Sequence, residues 1–293
     1  IIDVLAYNTY ITSYNANMVT NEVFIDSATL RENVVSLARN IGYTPRSRVA
    51  STATINFFVN TEAVTPQPAS LTLKKGPVAR TQGSFGNQSF VFCILEDITV
   101  PVYDGIATFD DIPISQGTLL TNTFTYSRRN PDQRFILPNV GIDTNLMTVT
   151  VKANESATSS TKYSAQDSLF DFDSESKVYF LQEIEDERYE IFFGDGIFGK
   201  ALEEGNFVTV DYIVSDGDAA NGVSQFGFSG RLSYNRNSLG YNVTSGISLI
   251  TTGTPSSGGE EIEAVESVKK FAPRIYASQN RAVSANDYET LIP

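Results

Sequence analysis

Gly194-Asp-Gly-Ile-Phe-Gly-Lys200 fits two phosphate-binding patterns at once. It matches the first seven positions of G-x-x-x-x-G-K-[S/T], whose backbone amides and lysine cradle nucleotide phosphates. It also spells G-x-G-x-x-G, the dinucleotide fingerprint. Either chemistry needs a strand before the glycines and a helix N-terminus after them, where unpaired N–H groups meet the phosphate. The first pattern also needs a hydroxyl for magnesium. The strand is there as YEIFF, but Ala201 stands where the hydroxyl belongs, and only Ala201 to Glu204 separate Lys200 from Gly205. Four residues cannot supply the helix, and NFVTVDYIV beyond them reads as another strand. The sequence therefore predicts a structural turn. Gly194, Gly196 and Gly199, around Asp195, supply positive φ angles or close backbone approach.

Three acidic stretches offer residues for other chemistry. DFDSESKVYFLQE begins like a calcium loop, with Asp171, Asp173 and Glu175 on alternate residues. Ser176 stands where that loop needs glycine and Gln182 where it needs a bidentate acid, so a solvated loop ahead of a strand is expected. SDGDAANG could offer Asp216, Asp218 and the Asn221 amide to a cation, but an acidic turn between strands accounts for it. Glu183, Glu185, Glu187 and Glu190 could form the carboxylate pair of a glycoside hydrolase, which needs no histidine. On a strand, however, such a row marks the solvent side. No residue is assigned a catalytic, cofactor-binding or metal-binding role.

Composition narrows the classes further. The chain has no histidine, which removes His-based acid–base catalysis, Ser-His-Asp and Cys-His nucleophiles and His-ligated zinc. Its single cysteine, Cys93, lies in the apolar run FVFCIL and reads as a small buried hydrophobe; an intramolecular disulfide is impossible. The net charge of -13 argues against gripping nucleic acid. Apolar runs fall far short of the roughly 20 residues that span a bilayer, and residues 1–25 carry no basic leader. With no leader, the acceptor patterns at Asn87, Asn154 and Asn242 read as chance. Arg128, Arg129, Arg274 and Arg281 read as ordinary surface charges. The chain does not begin with Met and stops at ETLIP as a helix opens, so a portion of a longer protein is expected.

The elements that must position these residues follow from periodicity. Residues 1–43 read as helical. Val4, Tyr7, Ile11, Tyr14 and Met18 recur at alternating spacings of three and four, an apolar seam suited to a partner helix. After a break near Asp26, Thr29 and Glu32 form a potential capping box for a second helix with inner face Leu30, Val34, Leu37 and Ile41, stopped by Gly42. From Ala50 the period becomes two: STATINFFVN, SLTLKKG, QSFVFCIL and NTFTYS read as strands, with a hairpin turn at Asp104-Gly105. MTVTVKAN, KVYFLQEI, RYEIFFGDG and NFVTVDYIV follow as strands, with NESATSSTKYSAQDS as a polar loop. TPSSGGE reads as a linker, residues 259–272 as a helix closed by Pro273, and Ser284 onward as the start of another. The expected fold is mainly β and multidomain, α+β overall: antiparallel β domains with an N-terminal helical segment and a C-terminal helical edge. The expected divisions are 1–48 helical, 49–127 a first β domain, 128–250 a second β region with the glycine turn, and 251–293 linker and helix.

Three blocks in this order resemble the baseplate J-like family of contractile phage tails. The first is LARNIGYTPRSRVAS, helix end into β domain. The second is Phe193-Gly-Asp-Gly-Ile-Phe-Gly199 with Leu202, Gly205 and VTVDYIVSDGDAANG. The third is Gly258-Gly259-Glu-Glu-Ile-Glu-Ala-Val, Phe271-Ala-Pro-Arg274, Gln279-Asn-Arg-Ala-Val283 and Asp287-Tyr-Glu-Thr-Leu291. The resemblance implies a structural component of a baseplate wedge in the virion, assembled in the host cytoplasm. It implies no enzymatic activity, and no cofactor, nucleic acid, membrane or small-molecule substrate. Partners would be further copies of itself, as a homodimer within a ring of wedges, and other baseplate wedge proteins met through the N-terminal helices. In a part that moves when the tail fires, Gly253, Gly258 and Gly259 of TGTPSSGG are candidate hinge residues. Rival readings are a sugar-binding tail-fibre sandwich, disfavoured by the absence of Trp, and a tail-associated hydrolase.

Overall fold

The change of period at Ala50 is the change from helix to sheet. The computed structural model describes residues 2–65, 67–83, 85–86, 88–130, 132–166, 173–236 and 239–278. Two helices come first, α1 (Ile2–Asn21) and α2 (Arg31–Asn40). Strands follow: β1 (Thr52–Asn60), β2 (Ser70–Leu73), β3 (Gly76–Thr81), β4 (Val91–Ile94), β5 (Ile98–Tyr103), β6 (Ile106–Gln116), β7 (Thr118–Thr125) and β8 (Phe135–Ile136). Then come β9 (Ile142–Lys152), β10 (Ser160–Ala165), β11 (Val178–Glu183), β12 (Tyr189–Phe193) and β13 (Phe207–Val214). The last strands are β14 (Phe226–Phe228), β15 (Leu232–Arg236) and β16 (Leu239–Val243), before helix α3 (Val265–Ser278). The architecture is mainly β with helices at both ends. Residues from Gln279 on, including the expected helix at Ser284 and the last family block, lie outside the described residues, as does Asp171.

The strands form two sheets. One runs β14-β3-β4-β6-β5-β2-β15-β16, with β1 also paired to β6; the other runs β7-β13-β9-β10-β11-β12-β8. Among the pairs described, only β10 with β11 is parallel. The change of sheet falls at Gly117, between β6 and β7. Its φ is +134°, and a Cβ there would lie 2.4 Å from the Val214 carbonyl oxygen, so only glycine fits the corner. The first sheet's core is aromatic and aliphatic: Phe57 stacks on Phe109 with centroids 4.7 Å apart, and Phe92 meets Phe226 edge-on. Asp104 and Gly105 both take positive φ between the paired Tyr103 and Ile106, the two-residue hairpin that the dipeptide predicts. Cys93 is buried and donates to the Gly117 carbonyl; burial pushes its thiol up, away from reactivity.

Contacts divide the chain into two compact units. One holds residues 1–46, 181–190 and 263–293, and the other 47–180 and 191–262. In the first, Val34 and Ala38 of α2 pack with Ala28 and with Val268 and Ala272 of α3. Leu30, expected on the inner face of α2, is exposed instead. Gly42 at φ +83° closes α2: its N–H bonds the Arg39 carbonyl and the Tyr43 N–H bonds that of Ala38, a Schellman end.

The start of α2 departs from expectation. Thr29 and Glu32 do not form the capping box; the residue at the cap is Leu30, without a side-chain bond. The Glu22 carboxylate takes that place from seven residues upstream. It accepts the Thr29 N–H at 2.8 Å, the Thr29 hydroxyl at 2.6 Å and the Asn33 amide at 2.8 Å. These bonds, led by the Thr29 hydroxyl, hold its pKa down to about 2 against an ordinary 4.5. A depressed folded value means stabilisation present above the unfolded pKa and lost as pH falls. The entry to α2 is therefore expected to loosen between about pH 4.5 and 2. Amide exchange at Thr29 and Leu30 should accelerate across that window in the native chain, and be fast and pH-insensitive, after correction for intrinsic exchange, in Glu22→Gln.

Three further expectations are corrected. NESATSSTKYSAQDS is not all loop: Ser160–Ala165 is β10, paired with β9, its polar side chains outward and only Tyr163 buried. Glu183 to Glu190 is not one strand. A one-turn 3-10 helix at Glu185–Glu187 interrupts it, with Asp186 and Glu187 both at positive φ, so parity no longer assigns faces. The last helix begins at Val265, not 259, because the Glu260 N–H and C=O are bonded to Val49 as an extended bridge. It continues through Pro273 to Ser278, since the apolar face of Val265, Val268 and Ala272 is already packed before the proline is reached.

Candidate protein–protein interface

Helix α1 has no buried residue over its 20 positions. Of the seam, Val4, Tyr7, Tyr14 and Met18 are exposed, Tyr7 by 68%, and Ile11 is half-exposed. At 100° per residue the five fall within one side of the helix, with Tyr10 beside them; Thr9, Ser13 and Thr20 share the opposite side with Ile2, Leu5 and Ala16. Asp3 is its one charged residue, so no i,i+4 ion pairs support it. An isolated helix of this length is marginal in water without such pairs or a packed face. The arrangement suits cover by other helices laid along the seam. At its C-terminal end, Met18 and Val19 open onto a groove that Val23 and Leu30 also line.

The glycine turn joins β12 to β13 as a rigid knot. Gly194 and Ala201 form a parallel bridge, and the Gly196 N–H bonds the Gly199 carbonyl at 3.0 Å. The Asp195 carboxylate accepts the N–H groups of Phe198 and Ile197, each at 2.8 Å, which keeps it below the usual carboxylate range. Lys200 is followed by the bridged Ala201 and then β13, so its ammonium reaches Glu175 at 3.5 Å with no helix N-terminus beside it. A phosphate would find neither of the groups it needs.

SDGDAANG is the centre of a buried polar network that ties distant segments of the β unit. Gln116 accepts from the Ser215 hydroxyl and the Asp216 N–H, both at 2.9 Å, and donates to the Asp216 carboxylate at 2.7 Å. The Asn221 side chain behaves like a strand partner of Gly259: its amide donates to the Gly259 carbonyl and its oxygen accepts the Gly259 N–H, both at 2.9 Å. The same oxygen accepts the Ser51 hydroxyl at 2.8 Å. With Asp216 and Asn221 so engaged, two of the three groups that could meet a cation are already bonded. No group of three or more acidic or cysteine side chains able to hold a metal occurs among the described residues.

The TGTPSSGG stretch lies along β1. Thr251 and Ser257 bridge Asn56 and Thr52, and the Thr252 hydroxyl bonds the Thr54 carbonyl at 2.8 Å. Gly253 and Gly258 have open space around them, whereas a Cβ at Gly259 would meet the Ser51 hydroxyl at 2.2 Å. Rotation here would have to break those bonds. Of the four glutamates, Glu183 is held by Arg31 and Glu190 is buried, while Glu185 and Glu187 sit on the 3-10 tip. Sequence reasoning missed Ser51, Gln116 and Ser256, whose roles come from partners 36 to 170 positions away.

No protein-family model matches the chain, so the baseplate J-like resemblance is carried by its motifs. A curated relative, the baseplate wedge protein gp6 of Enterobacteria phage T4, is 24% identical over 307 aligned residues, covering 99% of this chain and 44% of that protein. The chain spans less than half the length of the relative it matches.

Proposed function

We propose that this chain is a structural, non-enzymatic part of a contractile-tail baseplate wedge. Its α1 seam bundles with helices of neighbouring wedge proteins, and its β unit acts as a stiff spacer. The observation that carries this is α1, a 20-residue helix without a buried residue. Similarity to a baseplate wedge protein over nearly the whole chain supports the setting. Repeated copies would stand around the tail hub, meeting one another and passing the movement of baseplate expansion through the rigid β unit to the sheath. Assembly would take place in the host cytoplasm before the tail is complete.

The test changes the seam without touching a core. Tyr7→Glu with Ile11→Glu is expected to alter unfolding free energy by about 0.5 kcal/mol or less, as surface substitutions do. It should abolish incorporation, read by immunogold labelling of purified tails. Native chain should label the head-distal end and the variant should not. Equal labelling of both would remove α1 as the interface. Label on fibres would move the chain out of the baseplate.

A further inference from the structure

Strand β16, Leu-Gly-Tyr-Asn-Val, ends the first sheet, and among the described residues no backbone bond reaches its outer edge. Exposed edges are normally blunted by charge, proline, a bulge or a covering segment. β16 has no charged residue and no proline, and its register with β15 is unbroken over five pairs. The opposite edge, β14, is three residues long with Phe226 buried. The face of β16 that continues the core holds Val243, Tyr241 and Leu239. Their exposure rises along that row from 7% through 42% to 62%, so the sheet outruns its core.

The outward groups can be assigned. The Lys74 N–H bonds the Arg231 carbonyl, which turns the odd residues of β15 toward β2 and the even ones toward β16. Through the register Leu232↔Val243, Tyr234↔Tyr241 and Arg236↔Leu239, the backbone groups of residues 239, 241 and 243 are used by β15. Those of Gly240 and Asn242 point outward. We infer that β16 pairs antiparallel with β16 of a second copy of this chain, about a twofold axis at Tyr241. Gly240 then exchanges both bonds with the partner's Asn242, and Asn242 with the partner's Gly240, so all four outward groups are satisfied. Tyr241 faces its own counterpart at the closely spaced, non-bonded position. Tyr234 and Tyr241 already stack at 5.4 Å and 19°, so the axis makes a ladder of four tyrosine rings across four strands. An uncharged strand also lets two copies of a chain with net charge -13 approach without repulsion at the seam. A foreign strand would gain no charge complementarity there. Five residues make a small seam beside the roughly 1,200 Å² of a stable free dimer, so the pair is short-lived in dilute solution and must be trapped.

Tyr241→Cys places a thiol on the axis, where opposed Cα atoms lie about 4.5 Å apart, within disulfide range. Leu239→Cys lies on the same face but about 13 Å from its counterpart, outside that range. Cys93 is buried and does not compete. After mild oxidation of the 293-residue chain, Tyr241→Cys is expected to give roughly tenfold more linked dimer than Leu239→Cys, because only the axial thiols meet. Adding Asn242→Pro, which removes an outward N–H and no β15 bond, should bring the yield down to that control. Equal yields from both cysteines would mean random collision and overturn the pairing. No dimer from either would overturn it too, leaving the edge to a strand of another protein. Self-pairing follows from the edge geometry alone, so its loss and the loss of baseplate labelling are separate results.

Discussion

Gly194→Ala is expected to cost about 3 kcal/mol or more, the upper range for forcing a methyl into a closed site. The added Cβ would lie 2.2 Å from the Gly199 carbonyl carbon, 2.3 Å from its oxygen and 2.6 Å from the Phe198 oxygen. All three are backbone atoms, and they are held by the Gly194–Ala201 bridge and the Asp195 bonds, so none can yield alone. The neighbouring Gly196→Ala is the control. Its nearest atom is the Ala201 methyl at 3.8 Å, and only the positive φ of 90° opposes a side chain. That strain is worth roughly 1–2 kcal/mol. Urea denaturation should therefore rank Gly194→Ala well below Gly196→Ala in stability. A reversed ranking would mean that close approach is not what the first glycine supplies.

The phosphate-like spelling encodes a close backbone approach at Gly194. The sequence excluded the nucleotide reading because four residues after Lys200 leave no helix, and Ala201 is a bridge residue in the fold. Local signals were legible in the same way. The Asp104-Gly105 hairpin, the Gly42 stop and the α1 period depend on residues within a few positions of one another. What escaped depends on distance. The Thr29 cap lost to Glu22 because a carboxylate that takes two N–H groups, a hydroxyl and an amide outcompetes a neighbouring capping box. β10 escaped because its Ser, Thr and Lys give no apolar alternation, although its backbone pairs with β9. Asn221 reads as a turn residue; that it serves as Gly259's partner comes from a strand-like approach of chain 38 positions later. The 3-4 spacing of Val4, Tyr7, Ile11, Tyr14 and Met18 was legible because it lies within one helix, α1.

Arg31→Ala is expected to destabilise the helical unit by about 3–5 kcal/mol, the usual cost of leaving a buried charge without its partner. Arg31 donates Nε and Nη2 to the two oxygens of Glu183 at 2.6 and 3.1 Å, and Nη1 to the Glu263 carbonyl. The Glu183 side chain is only 5% exposed with Arg31 in place, so its carboxylate is served by the guanidinium rather than by bulk water. The loss should spread. Glu263 sits at the entry to α3, where its carboxylate accepts the Tyr43 hydroxyl at 2.7 Å, the Ser267 hydroxyl at 2.8 Å and the Arg46 N–H at 3.0 Å. Burial, and then the same carboxylate, raise the Tyr43 hydroxyl above its ordinary pKa. One arginine thus links α2, the 181–190 segment and α3. Arg31→Lys keeps the charge but offers no fork, and should recover only part of the loss. Removing both charges, as Arg31→Met with Glu183→Leu, should recover most of it, because two apolar groups leave no buried ion uncompensated. Amide exchange in residues 265–278 would follow the same order, fastest in Arg31→Ala and near native in the double variant. If Arg31→Ala cost less than about 1 kcal/mol, the pair would be behaving as a solvated surface bridge, and the joining of the three segments would fall to the apolar contact of Val34 and Ala38 with Val268 and Ala272.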